Sequence, residues 1–583
     1  MSSRRKIHSP SFVGYVVLVA LTNWPLIINI NTHVIGRAFE DAFEVLWLLW
    51  WMENAVFHHQ ANPFYTPDIF YPVGWHIASG AQPGWFILLL APLTHIAGNV
   101  FTYNFTLLST FVAGGFGVYL LVFHLTEQRS AAFVAGAIYI MAPALTLRMG
   151  GHLHTLFSMA FLPYATLGFY QTFSAHTRTV SQIVRSGIFL ALTILGHWYF
   201  LFIATIPLVA FSAFIPQKTG WREWLVRLIM VGATALIVVS PFAFLTWRAR
   251  HEMFPEGGDF SLAASDSWGI SLDYLFAPNL NHPFWGDWSQ QFFPVTGEHA
   301  IVSIGYTTLV LASFGLLFGQ RQQTRPFVMM AMVSLLLAMG PILQWRNARA
   351  LLSASEPVAL MAQRLYPELS LPSDQIAIPL PGLLLYYWAP FYASVRVWAR
   401  FVIPLMLALA VLAGFGGAIL LKKGTKWRFV LALLLVLVVL EGLPAPYRAF
   451  TEVSQNERSI NQWLATQPAG ATLIEYPRPW VDKVAMYSQS LHGQRVVNGY
   501  MSFEPDFLRH ASHQLGAWPN AEALDLLQQW QVQYVIVSGV DSQEFAKILA
   551  SIDKLRGLCH IQTFQDGFMH FTQTHLYTLC IDG

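Results

Sequence analysis

Of the 583 residues, 55% are apolar or aromatic and only 11% are charged, against roughly 25% charged in ordinary globular proteins. The 33 basic and 31 acidic residues leave a formal charge of +2, so there is no bulk basic field to hold nucleic acid. Two cysteines in so apolar a chain exclude disulfide-scaffold, collagen-like and disordered classes, and leave a polytopic membrane protein.

Uncharged apolar stretches of roughly 17–25 residues mark crossings, and Lys/Arg in the short connections marks the cytoplasmic side; about eleven crossings follow. The first is predicted from Phe12 to Ile30 behind Arg4, Arg5 and Lys6, which puts the N-terminus inside. Lacking a small-residue cleavage site, it reads as an anchor rather than a removed signal peptide. Residues 31–99 then form a large outer loop that opens Gly36-Arg37-Ala38-Phe39-Glu40-Asp41-Ala42-Phe43-Glu44. Carboxylates at a membrane boundary beside Trp47, Trp50 and Trp51 are costly to desolvate, and one held in a partly dry pocket can take a proton from a hydroxyl or amine. The alternative is capping, with Asp41 as N-cap of a helix from Ala42 to Phe57 and Glu44 completing a capping box. The aromatic run from Asn62 to His76 suits a sugar-binding wall or an interfacial aromatic belt. Gly84 to Ala97, interrupted by Pro92 and His95 and preceded by Pro83, is predicted to lie on the outer surface, so the next crossing is Val100 to Phe123.

Basic connections recur at Arg129, at Arg178 and Arg185, at Lys218, Arg222 and Arg227, at Arg321 and Arg325, and at Lys422, Lys423, Lys426 and Arg428. Between them the outer connections carry the chemistry. Arg148-Met149-Gly150-Gly151-His152-Leu153-His154 offers two histidines to a metal but no third ligand nearby, and polar contact to a substrate from Arg148, His152 and His154 is the better reading. The stretch from Arg185 to Gln217 must cross twice, turning at His197-Trp198-Tyr199, which can join the same cavity. The loop from Trp247 to Ala300 holds Asp266, His282 and Glu298 as acceptor-binding or supporting groups. The loop from Trp345 to Ala399 runs into Arg396-Val397-Trp398-Ala399-Arg400-Phe401. Its two arginines, four apart, share a helix face at the outer end, where forked guanidinium donors suit phosphate. Headgroup snorkelling or pairing with an acidic loop residue is the alternative.

The membrane part is predicted to occupy residues 1–443. From about Ala445 the composition becomes that of a soluble protein, and residues 444–583 read as a small α/β domain with strands near Ala471–Tyr476, Arg495–Tyr500 and Gln533–Ser538. Cys559 and Cys580, on neighbouring terminal strands outside the cytoplasm, are placed for a disulfide; the alternative is two unpaired buried thiols. No Walker sequence, CxxC pair, GxSxG elbow or HExxH motif is present, as an ATP-driven pump or an ordinary zinc protease would require.

Three of these features, Glu40-Asp41 after the first crossing, the Asn62-Pro63-Phe64 to Phe70-Tyr71-Pro72-Val73-Gly74 stretch and Arg396–Phe401, resemble the GT-C superfamily of polytopic glycosyltransferases, near its YfhO-like and dolichyl-phosphate-mannose mannosyltransferase-like branches. The resemblance implies an integral plasma-membrane enzyme with a cytoplasmic N-terminus and an extracytoplasmic C-terminal domain. It would move a sugar, with inversion, from a polyprenyl-phosphate donor to a glycan, lipid or protein acceptor. Asp41 would be the catalytic carboxylate and Glu40 its neighbour or substitute. Arg396 and Arg400 would hold the leaving phosphate, and the sugar would lie between the first loop, His76 included, and the Arg148–His154 turn. A divalent cation, Mg or Mn, could share the phosphate charge, although spacing assembles no ligands for it. The chain departs from the aminoarabinose-transferase and protein-mannosyltransferase branches where Ala81-Gln82-Pro83-Gly84 replaces their Lys-Pro-Pro-Leu-like stretch. Two rival classes remain, a lipid-linked saccharide transporter or flippase and a non-catalytic assembly protein. The absence of related halves and the gathering of acids in outer loops weigh against a transporter.

Overall fold

The computed structural model describes residues 8–580 except 81, 83, 217–219, 258, 455–456, 502–503 and 566. Arg4, Arg5, Lys6, Ala81, Pro83 and Lys218, which entered the orientation and family readings, lie outside the described residues. Among the described residues three helices are long and apolar enough to cross a membrane: Asn99–Thr126, Trp221–Met253 and Trp398–Lys422. A fourth candidate is the pair Arg129–Met141 and Pro143–Gly150, bent by 50°. The bend follows from Pro143, which has no N–H to continue the ladder and forces Ala142 out of the helical region, to φ −61°, ψ 129°.

The first apolar stretch is not one continuous helix as predicted. Ser9–Thr22 stops at Asn23, whose Nδ2 donates to Val19 O at 2.9 Å, and a short helix restarts over Trp24–Ile28. Pro25 accounts for the break, since it cannot supply the N–H a continuing turn needs. At the other extreme, the Trp221–Met253 helix runs 33 residues, past the predicted boundary at Trp247. The most buried candidate crossing is Trp398–Lys422. It meets the Tyr306–Phe318 helix backbone to backbone: a Cβ on Gly416 would lie 2.2 Å from Leu311 O, and one on Gly315 1.9 Å from Leu412 O. Small residues at such a crossing let two helices gain dispersion contacts along their whole length.

Beyond these helices the Asp41–Phe57 helix forms a buried spine. Trp47 is fully buried and donates from Nε1 to Gln489 Oε1 at 2.8 Å, and its ring stacks on those of Trp51 and Trp75. These indoles are therefore core, not an interfacial belt.

The C-terminal region carries a five-stranded sheet in the order Arg495–Val496, Thr472–Tyr476, Tyr534–Gly539, Gln573–Leu579, Leu558–Phe564. The first two pairings are parallel and the last two antiparallel. The central strands are nearly continuous buried runs, whereas the edge strand Leu558–Phe564 is largely exposed, the pattern expected of interior against edge positions. Cys559 and Cys580 form a disulfide with Cα atoms 5.8 Å apart. Two pairings bind this region to residues 31–99: His33–Ile35 runs antiparallel to Phe450–Glu452, and Ile69 bridges Val496.

Candidate functional site

The Asp41–Phe57 helix begins with Asp41 at its first position, and Glu40 takes the capping place without a side-chain cap bond. The predicted Asp41–Glu44 capping box is thus replaced by a different use of the carboxylate. Lys483 Nζ donates to Asp41 Oδ1, and His152 Nε2 donates to Oδ2 at 3.3 Å. His152 can come this close because Gly151 precedes it: with φ at +130°, a Cβ there would fall 2.3 Å from Asp41 Cβ, so only glycine fits.

The chain of charges continues inward. His152 Nδ1 lies 4.0 Å from Glu298 Oε2, Arg148 Nη2 lies 3.4 Å from the same oxygen, and Arg400 Nη2 donates to Glu298 Oε1 at 3.0 Å. Arg400 also donates from Nη1 to His197 Nε2 at 2.8 Å. Arg396 differs. Its guanidinium lies over the rings of Trp268 and Phe260, about 5 Å from each centroid, its Nε is buried without a hydrogen-bond partner, and no carboxylate pairs with it among the described residues.

These groups surround a cavity of about 440 Å³, lined among others by Glu40, Asp41, Gly150, His152, Trp268, Glu298, Arg396, Arg400, Arg448 and Tyr500. A narrower recess of about 70 Å³ shares Asp41, His152, Arg396, Arg400 and Tyr500 and adds Glu44, His197 and Tyr199. Arg148 is buried beneath, on Glu298. The remaining predicted contacts line neither cavity. His154 is fully buried with its ring edge-on to Phe86; His76 pairs with Glu252 at 3.0 Å; Asp266 is buried on Arg349 at 2.7 Å. His282 donates to Leu440 O at 2.8 Å while stacked on Trp285. Each already has a structural partner or packing role outside the two cavities.

Burial alone would raise the Asp41 carboxyl, but the hydrogen bond and charge of His152 and the charge of Lys483 outweigh it and hold Asp41 below the usual carboxylate range. Glu44, one helical turn on, goes the other way: burial and the Asp41 charge push it up to about 8. At neutral pH one carboxyl is therefore ionised and its neighbour protonated, a separation typical of acid–base sites. Glu298 is raised by burial and lowered more strongly by Arg400 and Arg148, to about 2. The carboxylates here are poorly disposed toward a divalent cation. Asp41 already faces an ammonium and Glu298 two guanidinium groups, so negative charge on a ligand falls to the arginines.

Sequence reasoning missed Lys483 and Tyr500, and it read Glu44 only as a cap. The Lys483 ammonium sits 4.0 Å over the Tyr500 ring. Both arrive from a segment more than 400 residues from Asp41 in the chain, and no local pattern marks them.

Among solved structures the chain is similar to arabinofuranosyltransferase AftD from Mycobacteria, with 14% identity and a TM-score of 0.54 over 99% of this chain and 40% of that one. It is also similar to the apo oligosaccharyltransferase of Archaeoglobus fulgidus, with 14% identity and a TM-score of 0.52 over 92% of this chain and 70% of that one. The chain therefore spans less than half the length of AftD. At this identity the likeness is one of fold alone. No protein-family model and no curated protein matches the sequence.

Proposed function

We propose that this chain is a membrane glycosyltransferase of the extracytoplasmic face, taking a sugar from a polyprenyl-phosphate donor with inversion at the anomeric carbon. In this reading it crosses the membrane about eleven times, with its N-terminus inside, and residues 444–583 form an outer α/β domain that closes over the site. The observation that carries the reading is a carboxylate and an arginine lining one cavity: ionised Asp41, and Arg396, which has no acidic partner among the described residues. A donor phosphate supplies the missing anion. The acceptor O–H or N–H loses its proton to Asp41 as its heavy atom bonds to the anomeric carbon. The bond from that carbon to the phosphate oxygen breaks, and Arg396, with Arg400 behind it, stabilises the electron pair that leaves. Positioning in a partly dry cavity supplies much of the rest. Lys483 suppresses the basicity of Asp41 in the free protein, and an acceptor that displaces the ammonium restores it. The GT-C fold shared with two solved glycosyltransferases supports the same class.

The test is transfer by the full-length protein in nanodiscs, offered a panel of labelled polyprenyl-phosphate sugars. Asp41→Asn should lower turnover by about 10²–10⁴, and Arg396→Ala should weaken donor use. Undiminished transfer by Asp41→Asn would remove that residue from its role. Movement of intact lipid-linked saccharide across the bilayer without transfer would favour a flippase instead.

A further inference from the structure

At the far end of the Asp41–Phe57 helix, about 18 Å from Asp41 at 1.5 Å per residue, a second polar cluster stands apart from the cavity. Glu53 Oε1 lies 3.0 Å from His58 Nε2 and 2.8 Å from His95 Nδ1, and the three donor atoms all fall within 4.8 Å of one another. We propose that Glu53, His58 and His95 form a zinc site that clamps the end of this helix to the end of the Trp85–Ala97 helix.

Four observations carry it. The donor set is two imidazoles and one carboxylate, which suits Zn(II) and disfavours Mg(II) or Ca(II), both of which prefer all-oxygen shells. The spacing is close to what zinc needs: with bonds of about 2.0–2.1 Å, tetrahedral ligands stand about 3.3 Å apart, so the two Glu53–histidine separations have to open by only a few tenths of an ångström, and the two histidine nitrogens already lie within 4.8 Å of each other. The Glu53 side chain is 13% exposed, and no Lys or Arg pairs with it among the described residues, so its charge is met only by the two histidines. Finally, His58 is the C-cap of one helix and His95 sits in the last turn of the other. Two helix C-termini, each with its negative dipole end, thus converge where a cation would sit. The two histidine side chains remain roughly half exposed, which leaves a fourth position open to water and an entry path for the ion.

The experiment uses the full chain in nanodiscs, stripped with chelator and titrated with ZnCl₂ against a zinc indicator, with metal content measured after desalting. The unsubstituted protein should retain one equivalent and gain thermal stability on zinc addition. His58→Ala, His95→Ala and the size-conserving Glu53→Gln should each weaken zinc binding by about tenfold or more and lose the thermal shift, while melting in chelator like the stripped unsubstituted protein. Mg(II) should not substitute. Failure of the unsubstituted protein to retain zinc, or equal retention by all three variants, would overturn the site whatever the outcome of the transferase assay.

Discussion

Both oxygens of Asp41 are spoken for, Oδ1 by Lys483 and Oδ2 by His152. The consequence is testable as a pH dependence. Lys483 favours the charged form of Asp41, and burial opposes it. Removing the ammonium with Lys483→Met must therefore raise the Asp41 pKa, while the hydrogen bond and charge of His152 go on holding it down. In the proposed mechanism transfer needs Asp41 ionised, so activity should be lost as pH falls through that pKa, and the acid limb of the kcat/KM profile should move to higher pH in the variant. At pH well above the new limb Asp41 is ionised again and is then a stronger base than before. Coincident acid limbs in the two proteins would mean that another group governs the profile. Glu44 shows why such residues are hard to find in a sequence. Its spacing from Asp41 fits a capping box, and only the folded neighbourhood, with Asp41 adjacent and water excluded, turns it into a protonated carboxyl.

At the level of elements, one turn and one helix set the geometry. Gly150-Gly151 lets the Leu147–Gly150 turn pass over the start of the Asp41–Phe57 helix so that His152 reaches Asp41. The two glycines are not equivalent. At Gly150 the nearest atom to an added Cβ is 3.9 Å away, whereas at Gly151 Asp41 Cβ would be 2.3 Å away on a left-handed backbone. Gly151→Ala should cost about 1–3 kcal/mol and depress turnover further by moving His152 off the carboxylate, while Gly150→Ala should leave both melting temperature and turnover nearly intact. Equal effects of the two substitutions would dissociate the turn from the site. Much of this geometry was legible beforehand, because Asp41, the Arg148–His154 turn and Arg396 with Arg400 each stand next to an apolar run whose end fixes their depth. His76, His154, Asp266 and His282 line neither cavity for the complementary reason: whether an outer-loop side chain faces a cavity or a private partner such as Glu252, Arg349 or Leu440 O depends on loop packing, which residue type alone does not encode. The break at Asn23-Trp24-Pro25 likewise yielded to hydropathy in the reading, although its proline argued otherwise.

Across the whole molecule, the long apolar helices and the C-terminal region meet at the site itself. Tyr500 lines its wall, Lys483 pairs with Asp41, and a few residues along the Asp482–His492 helix Gln489 accepts the Trp47 indole N–H in the interior. If the two regions fold as one cooperative unit, this bond is a coupling that a double-mutant cycle can read. Trp47→Phe strands a buried amide oxygen, and Gln489→Leu strands a buried indole N–H. Each leaves an unsatisfied polar atom at about 1–3 kcal/mol, with Trp47→Phe adding the loss of packing from a smaller ring. In the double variant both polar atoms are gone and an apolar pair faces an apolar pair. The combined loss in stability should then fall short of the sum of the single losses by about 1 kcal/mol or more, with a single unfolding transition seen by intrinsic fluorescence and by far-ultraviolet dichroism. Additive losses, or a C-terminal transition that separates from that of the helices in the unsubstituted protein, would mean that the C-terminal region is a tethered neighbour of the site. In that case Lys483 could leave Asp41 without unfolding anything, and the acid-limb shift in Lys483→Met would be matched by releasing that region.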